Sequence, residues 1–388
     1  MKILYVNHKC GFFGGVESFV FKSVKSLTEA GWECWGLFEK QQEFESSFGK
    51  AFKDCVFANS GRLEESLDSL KNDGVKIAFV HKIFSPQLLE EVSKRFKTIV
   101  LFHDHDYYCL RKHKYFPVTR RNCHKPAGLY CLLCSGMIEK NPESPLKVSF
   151  LNVKRFCSMF RRLKRSSRFM VLSDYMRDNL SANGFDTSRI TKLQPIIAPS
   201  KTPSSGKSEK FKILYIGQLI KGKGVDLLIK SLKYLSPGWE CKIAGRGNDS
   251  ENLKMLAASE GLADKVEFSG WCSSPEELYE SCDVVAVPSR WQEPYGLVGV
   301  EAGAHRKPVV GFDVGGIGEW LKDNVNGFLV REGDVIGFAC ALEKLKDNTE
   351  LRRKLGMEGR RIVKENYTPE KFESAMRKIC LELAENAL

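Results

Sequence analysis

The stretch Pro288-Ser289-Arg290-Trp291-Gln292-Glu293-Pro294-Tyr295-Gly296-Leu297-Val298-Gly299-Val300-Glu301-Ala302-Gly303 follows the apolar run Val284 to Val287 and leads into a small-residue, helix-compatible segment. It reads as a strand ending at Val287, a loop carrying Glu293, and a helix opening near Gly296, with Glu301 about two turns further on. The first amides of such a helix, those of Tyr295, Gly296 and Leu297, have no intrahelical acceptor and are free to meet an anion. Two carboxylates bracketing an anion hole repel each other and the anion unless each accepts hydrogen bonds from hydroxyls. Sugars supply hydroxyls.

Upstream of this segment the same texture recurs. Phe211 to Ile216 is a strand that runs into Gly217-Gln218-Leu219-Ile220-Lys221-Gly222-Lys223-Gly224 and a helix from about Val225. Further strands are expected at Glu240 to Ala244, Lys265 to Phe268 and Pro308 to Gly311. The first half is built alike. Lys2 to Val6, Cys34 to Phe38, Lys76 to Val80, Thr98 to Phe102 and Phe169 to Leu172 are apolar β-rich runs. They alternate with helical stretches such as Val16 to Glu29, and strand one runs into the pair Gly14-Gly15 before that helix. Alternation of this kind implies parallel strands with crossover helices, and ligands at the carboxyl ends of the strands. Glycine admits a ligand close to the backbone, and Lys223 suits a phosphate; a plain tight turn and a solvated Lys/Gly loop are the competing readings of these two segments.

The expected fold class is therefore α/β, two Rossmann-like doubly wound domains facing across a cleft. Residues 1–195 form the first, with a cysteine-containing insertion at about 103–145; the Pro/Ser/Lys-rich stretch 196–210 is a linker; residues 211–367 form the second; and 368–388 form a helix packing back toward the first domain. With 388 residues and 43% hydrophobic residues, the chain can bury two cores. No run of about 18 apolar residues marks a membrane span, and Met1 to Val6 is too short before polar Asn7-His8-Lys9 to be a secretory signal. Thirteen scattered cysteines suit a reducing compartment, so a cytoplasmic protein is expected. A net charge of +12 points to anionic partners. No zinc-finger, basic-zipper or aromatic-interleaved RNA motif speaks for nucleic acid.

At this point the chain resembles the retaining glycosyltransferases of the GT-B architecture, family 4, also described as glycosyl transferases group 1. The resemblance rests on Glu293 and Glu301 within Glu-Pro-Tyr-Gly-Leu, on Gly217 to Gly224, Phe268-Ser269-Gly270, Val287-Pro288-Ser289, Gly315-Gly316-Ile317-Gly318-Glu319 and Asn326-Gly327. It implies a nucleotide-sugar donor, with UDP- or GDP-sugars the usual family choice, and a glycan, lipid-linked or small-molecule acceptor. Glu301 would hold the ribose hydroxyls, Glu293 would contact the transferred sugar, and the amides of Tyr295, Gly296 and Leu297 would bind the sugar or distal phosphate. Lys223 would neutralise the diphosphate, Gly14 and Gly15 would close on it, and His103 matches the family's cleft histidine, which faces the sugar. Family members commonly carry an arginine where this chain has Gln218, which leaves Arg290 or Lys221 as candidate substitutes. No Asp-x-Asp motif stands at a strand end, so no catalytic cofactor or metal is expected. Attack from the front face, with the leaving phosphate taking the acceptor proton, is the usual account of retention in the family.

Two features lie outside this scheme. His103-Asp104-His105-Asp106 leads to Cys109, Cys123, Cys131 and Cys134, and the terminal Cys-x2-Cys resembles structural zinc sites. A structural zinc clip, a reduced loop without metal and a disulfide pair all fit that spacing. A helix from Leu146 to about Arg165 carries an apolar stripe and seven cations (Lys147, Lys154, Arg155, Arg161, Arg162, Lys164, Arg165). It reads either as a core helix with a solvated basic face or as a contact, through 146–165, peripheral to the inner membrane. Two rival functions share the architecture: a nucleotide-sugar epimerase, and a non-catalytic nucleotide-sugar-binding subunit.

Overall fold

A computed structural model describes residues 1–40, 46–116, 119, 121–132, 134, 138–140, 148–200, 209–272 and 275–385. Its contacts divide the chain into two compact units. The first comprises Met1–His113, Lys125–Ile196 and Pro369–Leu388; the second comprises Lys114–His124 and Ile197–Thr368.

The first unit is a seven-stranded sheet made of β1 (Lys2–Lys9), β2 (Glu33–Lys40), β3 (Cys55–Phe57), β4 (Ile77–Val80), β5 (Lys97–Phe102), β10 (Arg168–Val171) and β11 (Ile190–Lys192), in the order β11-β10-β5-β4-β1-β2-β3. Every pairing is parallel, with Leu4 of β1 opposite Trp35 of β2 and Ala78 of β4. These strands are apolar on both faces because crossover helices cover both; Ile3, Leu4, Tyr5 and Val6 are all fully buried. The helix Gly15–Glu29 returns the chain from β1 to β2, and Pro86–Arg95 is started by Ser85, whose Oγ accepts from the amide of Leu88. The terminal helix Pro369–Glu385 belongs to this unit: Trp32 donates from Nε1 to Glu373 (2.9 Å), and Arg168 pairs with Glu382 (2.8 Å).

The second unit is a six-stranded parallel sheet of β12 (Phe211–Ile216), β13 (Trp239–Ala244), β14 (Val266–Gly270), β15 (Val284–Val287), β16 (Val309–Phe312) and β17 (Gly327–Val330), ordered β14-β13-β12-β15-β16-β17. The order reverses between β12 and β15. In such sheets the crevice at the reversal receives ligands, and the loops after β12 and β15 are the two that open there.

Two short antiparallel hairpins complete the set, β6 (Tyr115–Phe116) with β7 (Arg121–Asn122), and β8 (Ile138–Lys140) with β9 (Val148–Phe150). Both depart from the sequence reading. The expected helix from Leu146 is a strand at Val148–Phe150 followed by a helix confined to Val153–Leu163, because the side chain of Asn152 caps it by accepting from the amide of Arg155. Residues 146 and 147 of that expectation lie outside the described residues. The β6–β7 segment, expected within the first domain, groups with the second unit instead. There Asn122 donates from Nδ2 to the carbonyl of Arg290 (2.7 Å) and to Glu332 (3.1 Å), while Gln292 donates to the carbonyl of Cys123 (3.3 Å).

Among the described residues no helix is long and apolar enough to cross a membrane.

Candidate active site

In the second unit the loop after β15 is clamped between two glycine turns. On one side, the amides of Arg290 and Trp291 both donate to the carbonyl of Gly222 (2.9 and 3.0 Å). Gly224 there has φ +66°, and a Cβ on it would lie 1.9 Å from the carbonyl oxygen of Pro288. On the other side, the amide of Gly316 donates to the carbonyl of Glu293 (2.8 Å), and Gly315, with φ +58°, would put a Cβ 2.2 Å from that same oxygen. No side chain fits at either position, so the glycines are what let three loops close on one another.

The clamp holds a buried charge pair. Nζ of Lys223 lies 2.6 Å from Oε1 of Glu293, Ser289 donates to the same oxygen (2.5 Å), and Nζ of Lys223 sits 4.6 Å from the Trp291 ring centroid. Burial pushes the Glu293 carboxyl up, but the Lys223 charge and the hydrogen bonds from Lys223 and Ser289 outweigh it and hold it below the ordinary range. Glu293 is therefore a carboxylate near neutral pH and only accepts hydrogen bonds. Next along the chain, Gly296 in the left-handed region (φ +85°) caps the helix Leu297–Ala304, and Trp320 donates to the carbonyl of Tyr295 (2.6 Å). The Tyr295 side chain is buried with its hydroxyl 2.7 Å from that of Tyr367, so of this residue the main chain borders the helix start. Glu301, half-buried, accepts from the Tyr279 hydroxyl (3.1 Å), a phenol that burial and the neighbouring Glu301 charge keep protonated.

Arg290 does something other than replace a cation at position 218. Its guanidinium grips both oxygens of Asp226, at 2.6 Å for one contact, and the residue is 7% exposed. A bidentate buried pair ties the loop after β15 to the first turn of the helix Val225–Leu232. Gln218 and Lys221 are exposed, and the carbonyl of Gln218 accepts from Tyr215 (2.8 Å).

In the first unit, His103 follows β5 and His81 follows β4, with Nε2 of His103 2.9 Å from Nδ1 of His81. Burial depresses both imidazoles; His103 is brought down to about 4. Beside them Lys82 bridges Asp104 (2.9 Å) and Asp106 (2.6 Å), and burial together with the Asp104 charge raises the Asp106 carboxyl to about 6. Gly14 is extended (φ 178°) and precedes the helix Gly15–Glu29; a Cβ on Gly15 would meet nothing within 4 Å, and one on Gly14 only Oε2 of Glu17 at 3.8 Å. Neither position needs glycine for the fold.

The cysteines are divided. Cys123 belongs to the second unit, whereas Cys109, Cys131 and Cys134 belong to the first. Among the described residues no three His, Cys, Asp or Glu side chains are grouped as metal ligands. The residues missed by sequence reasoning are Ser289, Asp226, Tyr279 and His81. Ser289 stands four residues before Glu293 in sequence; the other three lie far from their partners along the chain and carry no local signal.

Residues 199–362 match the family described as Glycosyl transferases group 1. Over 182 residues the chain is 33% identical to the putative glycosyltransferase EpsD of Bacillus subtilis, covering 46% of this chain and 48% of that protein. It is 25% identical over 259 residues to the poly(ribitol-phosphate) alpha-N-acetylglucosaminyltransferase of Staphylococcus aureus, covering 66% of this chain and 51% of the relative. The chain thus spans about half the length of these curated relatives. In fold it is similar to Anabaena HepE, solved with UDP (TM-score 0.75) and with UDP-glucose (TM-score 0.74), at 16% identity over 98% of this chain and all of that one. The fold is α/β of the GT-B type, built from two Rossmann-like units.

Proposed function

We propose that the chain is a glycosyltransferase that moves a sugar from a nucleotide-diphosphate donor, a UDP- or GDP-sugar, to a glycan, lipid-linked or small-molecule acceptor. In this reading it retains the anomeric configuration and needs no divalent ion. The observation that carries the proposal is the Lys223–Glu293 pair with Ser289, held at the head of the Gly296-capped helix inside the segment that matches Glycosyl transferases group 1. HepE complexes with UDP and UDP-glucose support a uridine donor.

The roles follow from the chemistry of each group. Glu301, steadied by Tyr279, accepts from the ribose hydroxyls. Lys223 exchanges Glu293 for the diphosphate, which carries more negative charge than one carboxylate. Glu293, released but still ionised, accepts from hydroxyls of the transferred sugar. The first amides of the helix Leu297–Ala304 and the Lys223 charge stabilise the diphosphate as its bond to the anomeric carbon breaks. The acceptor hydroxyl attacks that carbon on the same face and passes its proton to the leaving phosphate oxygen. Gly14 and Gly15 leave the start of the first helix open to a ligand, and His103 orients the sugar. Lys154, Arg161 and Arg165, exposed on and just after the helix Val153–Leu163, offer an anionic membrane surface a cationic face for a lipid-linked acceptor.

The test is turnover of labelled UDP- and GDP-sugars, with and without EDTA, followed by the configuration of the released or transferred sugar. Retention with EDTA-insensitive rates is expected. Inversion, or a rate abolished by EDTA, contradicts the proposal.

A further inference from the structure

His81 plays no part in the roles above, yet it is built in with care. It is 1% exposed, stacked on Tyr5 (centroids 5.3 Å apart, planes 7° apart) and packed against Phe79 (4.2 Å), and its amide donates to the carbonyl of Val6 (2.9 Å). Its Nδ1 meets Nε2 of His103 at 2.9 Å, and its own Nε2 is buried with no hydrogen-bond partner among the described residues.

A neutral imidazole carries one N–H and one lone pair, so the pair has two arrangements. If His103 donates from Nε2, His81 accepts at Nδ1 and must carry its proton on Nε2, leaving an N–H buried without an acceptor. If His81 donates from Nδ1, its Nε2 holds only a lone pair. Buried N–H groups without partners are rarer and costlier than bare acceptors, so the second arrangement wins. A doubly protonated His103 fails for the same reason, since its Nε2–H would again force the proton of His81 onto the buried nitrogen.

We propose that His81 is a positioning residue that fixes His103 as the Nδ1–H tautomer, so the nitrogen His103 has left for a ligand is a hydrogen-bond donor and not a proton acceptor. Among the described residues nothing pairs with that Nδ1. The inference rests on the glycosyl-transfer reading for its consequence: His103 donates to a sugar oxygen and cannot take the acceptor proton there. The depressed His103 imidazole, with Lys82 nearby, is consistent with a ring that stays neutral.

The test is long-range proton–nitrogen NMR on the full-length chain labelled at its seven histidines, without donor, with His103 assigned by its loss in His103→Gln. A protonated Nδ1 and bare Nε2 on His103 is expected; a protonated Nε2, or an imidazolium at pH 7, overturns the inference. His81→Asn, whose side-chain N–H falls near the position of Nδ1, keeps the tautomer, whereas His81→Leu lets the proton move to Nε2. A His103 signal unchanged in His81→Leu, or lost to the other tautomer in His81→Asn, also overturns it. Because no donor is present, the outcome is independent of whether a nucleotide sugar binds.

Discussion

The glycine turns of the two units look alike in sequence and differ in what makes them glycine. Gly224 and Gly315 have positive φ, and a Cβ on either would run into the carbonyl of Pro288 or of Glu293. Gly14 and Gly15 have neither constraint. The charges differ in the same sense. In the second unit the charges close into two pairs, Lys223 with Glu293 and Arg290 with Asp226, while in the first Lys82 bridges Asp104 and Asp106 and His103 keeps a ring nitrogen with no described partner. The second unit's strand ends are thus held by glycine turns that fix backbone amides and carboxylates, and the first unit's carry a buried imidazole pair beside a Lys–Asp cluster, with glycines that a Cβ would not disturb.

Substitution at the glycines should break this comparison first. Gly224→Ala and Gly315→Ala are each expected to destabilise the protein by roughly 3 kcal/mol, combining left-handed backbone strain with a collision against main chain. Gly14→Ala should move stability by less than about 0.5 kcal/mol yet lower donor turnover about tenfold or more. Chemical denaturation beside a turnover assay separates them; equal stability losses would mean that the two turns are not different in kind.

Arg290→Ala comes next. Losing a buried bidentate pair strands the Asp226 charge and should cost about 3 kcal/mol. If Arg290 instead served the donor, KM would rise with stability unchanged. Lys223→Met strands the buried Glu293 carboxylate and should likewise cost about 3 kcal/mol, but, unlike Arg290→Ala, it should also weaken donor binding by about 10- to 100-fold, as expected when a charge-assisted contact to phosphate is removed; calorimetric titration with the donor measures it.

The smallest effect is a pH dependence confined to the first unit. His103 falls from 6.5 to about 4 on folding, so below pH 6.5 the unfolded chain binds more protons, and the stability this contributes is lost as pH falls toward 4. Asp106 rises from 3.8 to about 6, so its contribution is present at low pH and is lost as pH rises through about 6. The two oppose each other over the same window. Asp106→Asn should expose the slope of the two depressed histidines, a loss of order 2 kcal/mol or more between pH 6.5 and 4, and adding His103→Asn should make that slope shallower, with His81 still contributing in the same sense. Urea unfolding across that range reads both.

Much of the fold is legible in the sequence. Apolar runs bounded by glycine located most strands of both sheets, and Phe211–Ile216 and Val284–Val287 fall at the expected residues, because parallel strands buried on two faces carry an unmistakable pattern. The edge strands β3, β11 and β17 are not evident in the sequence; each pairs on one side only and keeps residues that are not fully buried, so the apolar run is broken. Glu293 and Glu301 stand out in the sequence as candidate site residues because their spacing is local. The long-range pairings around them do not. Arg290 and Asp226 stand 64 residues apart, and His81 and His103 stand 22 apart, so only the topology of neighbouring strands brings them together. The helix Val153–Leu163 was overextended because charge and apolar stripe say nothing about a cap such as Asn152.

In the proposed function the carboxyl edge of the second unit's sheet binds a nucleotide sugar through Glu301. A thermal-shift screen of UDP-, GDP-, ADP- and TDP-sugars against the wild type and Glu301→Ala tests this. UDP- or GDP-sugars are expected to raise the melting temperature of the wild type and leave the variant unmoved. No shift with any nucleotide sugar, or an equal shift in Glu301→Ala, would contradict it.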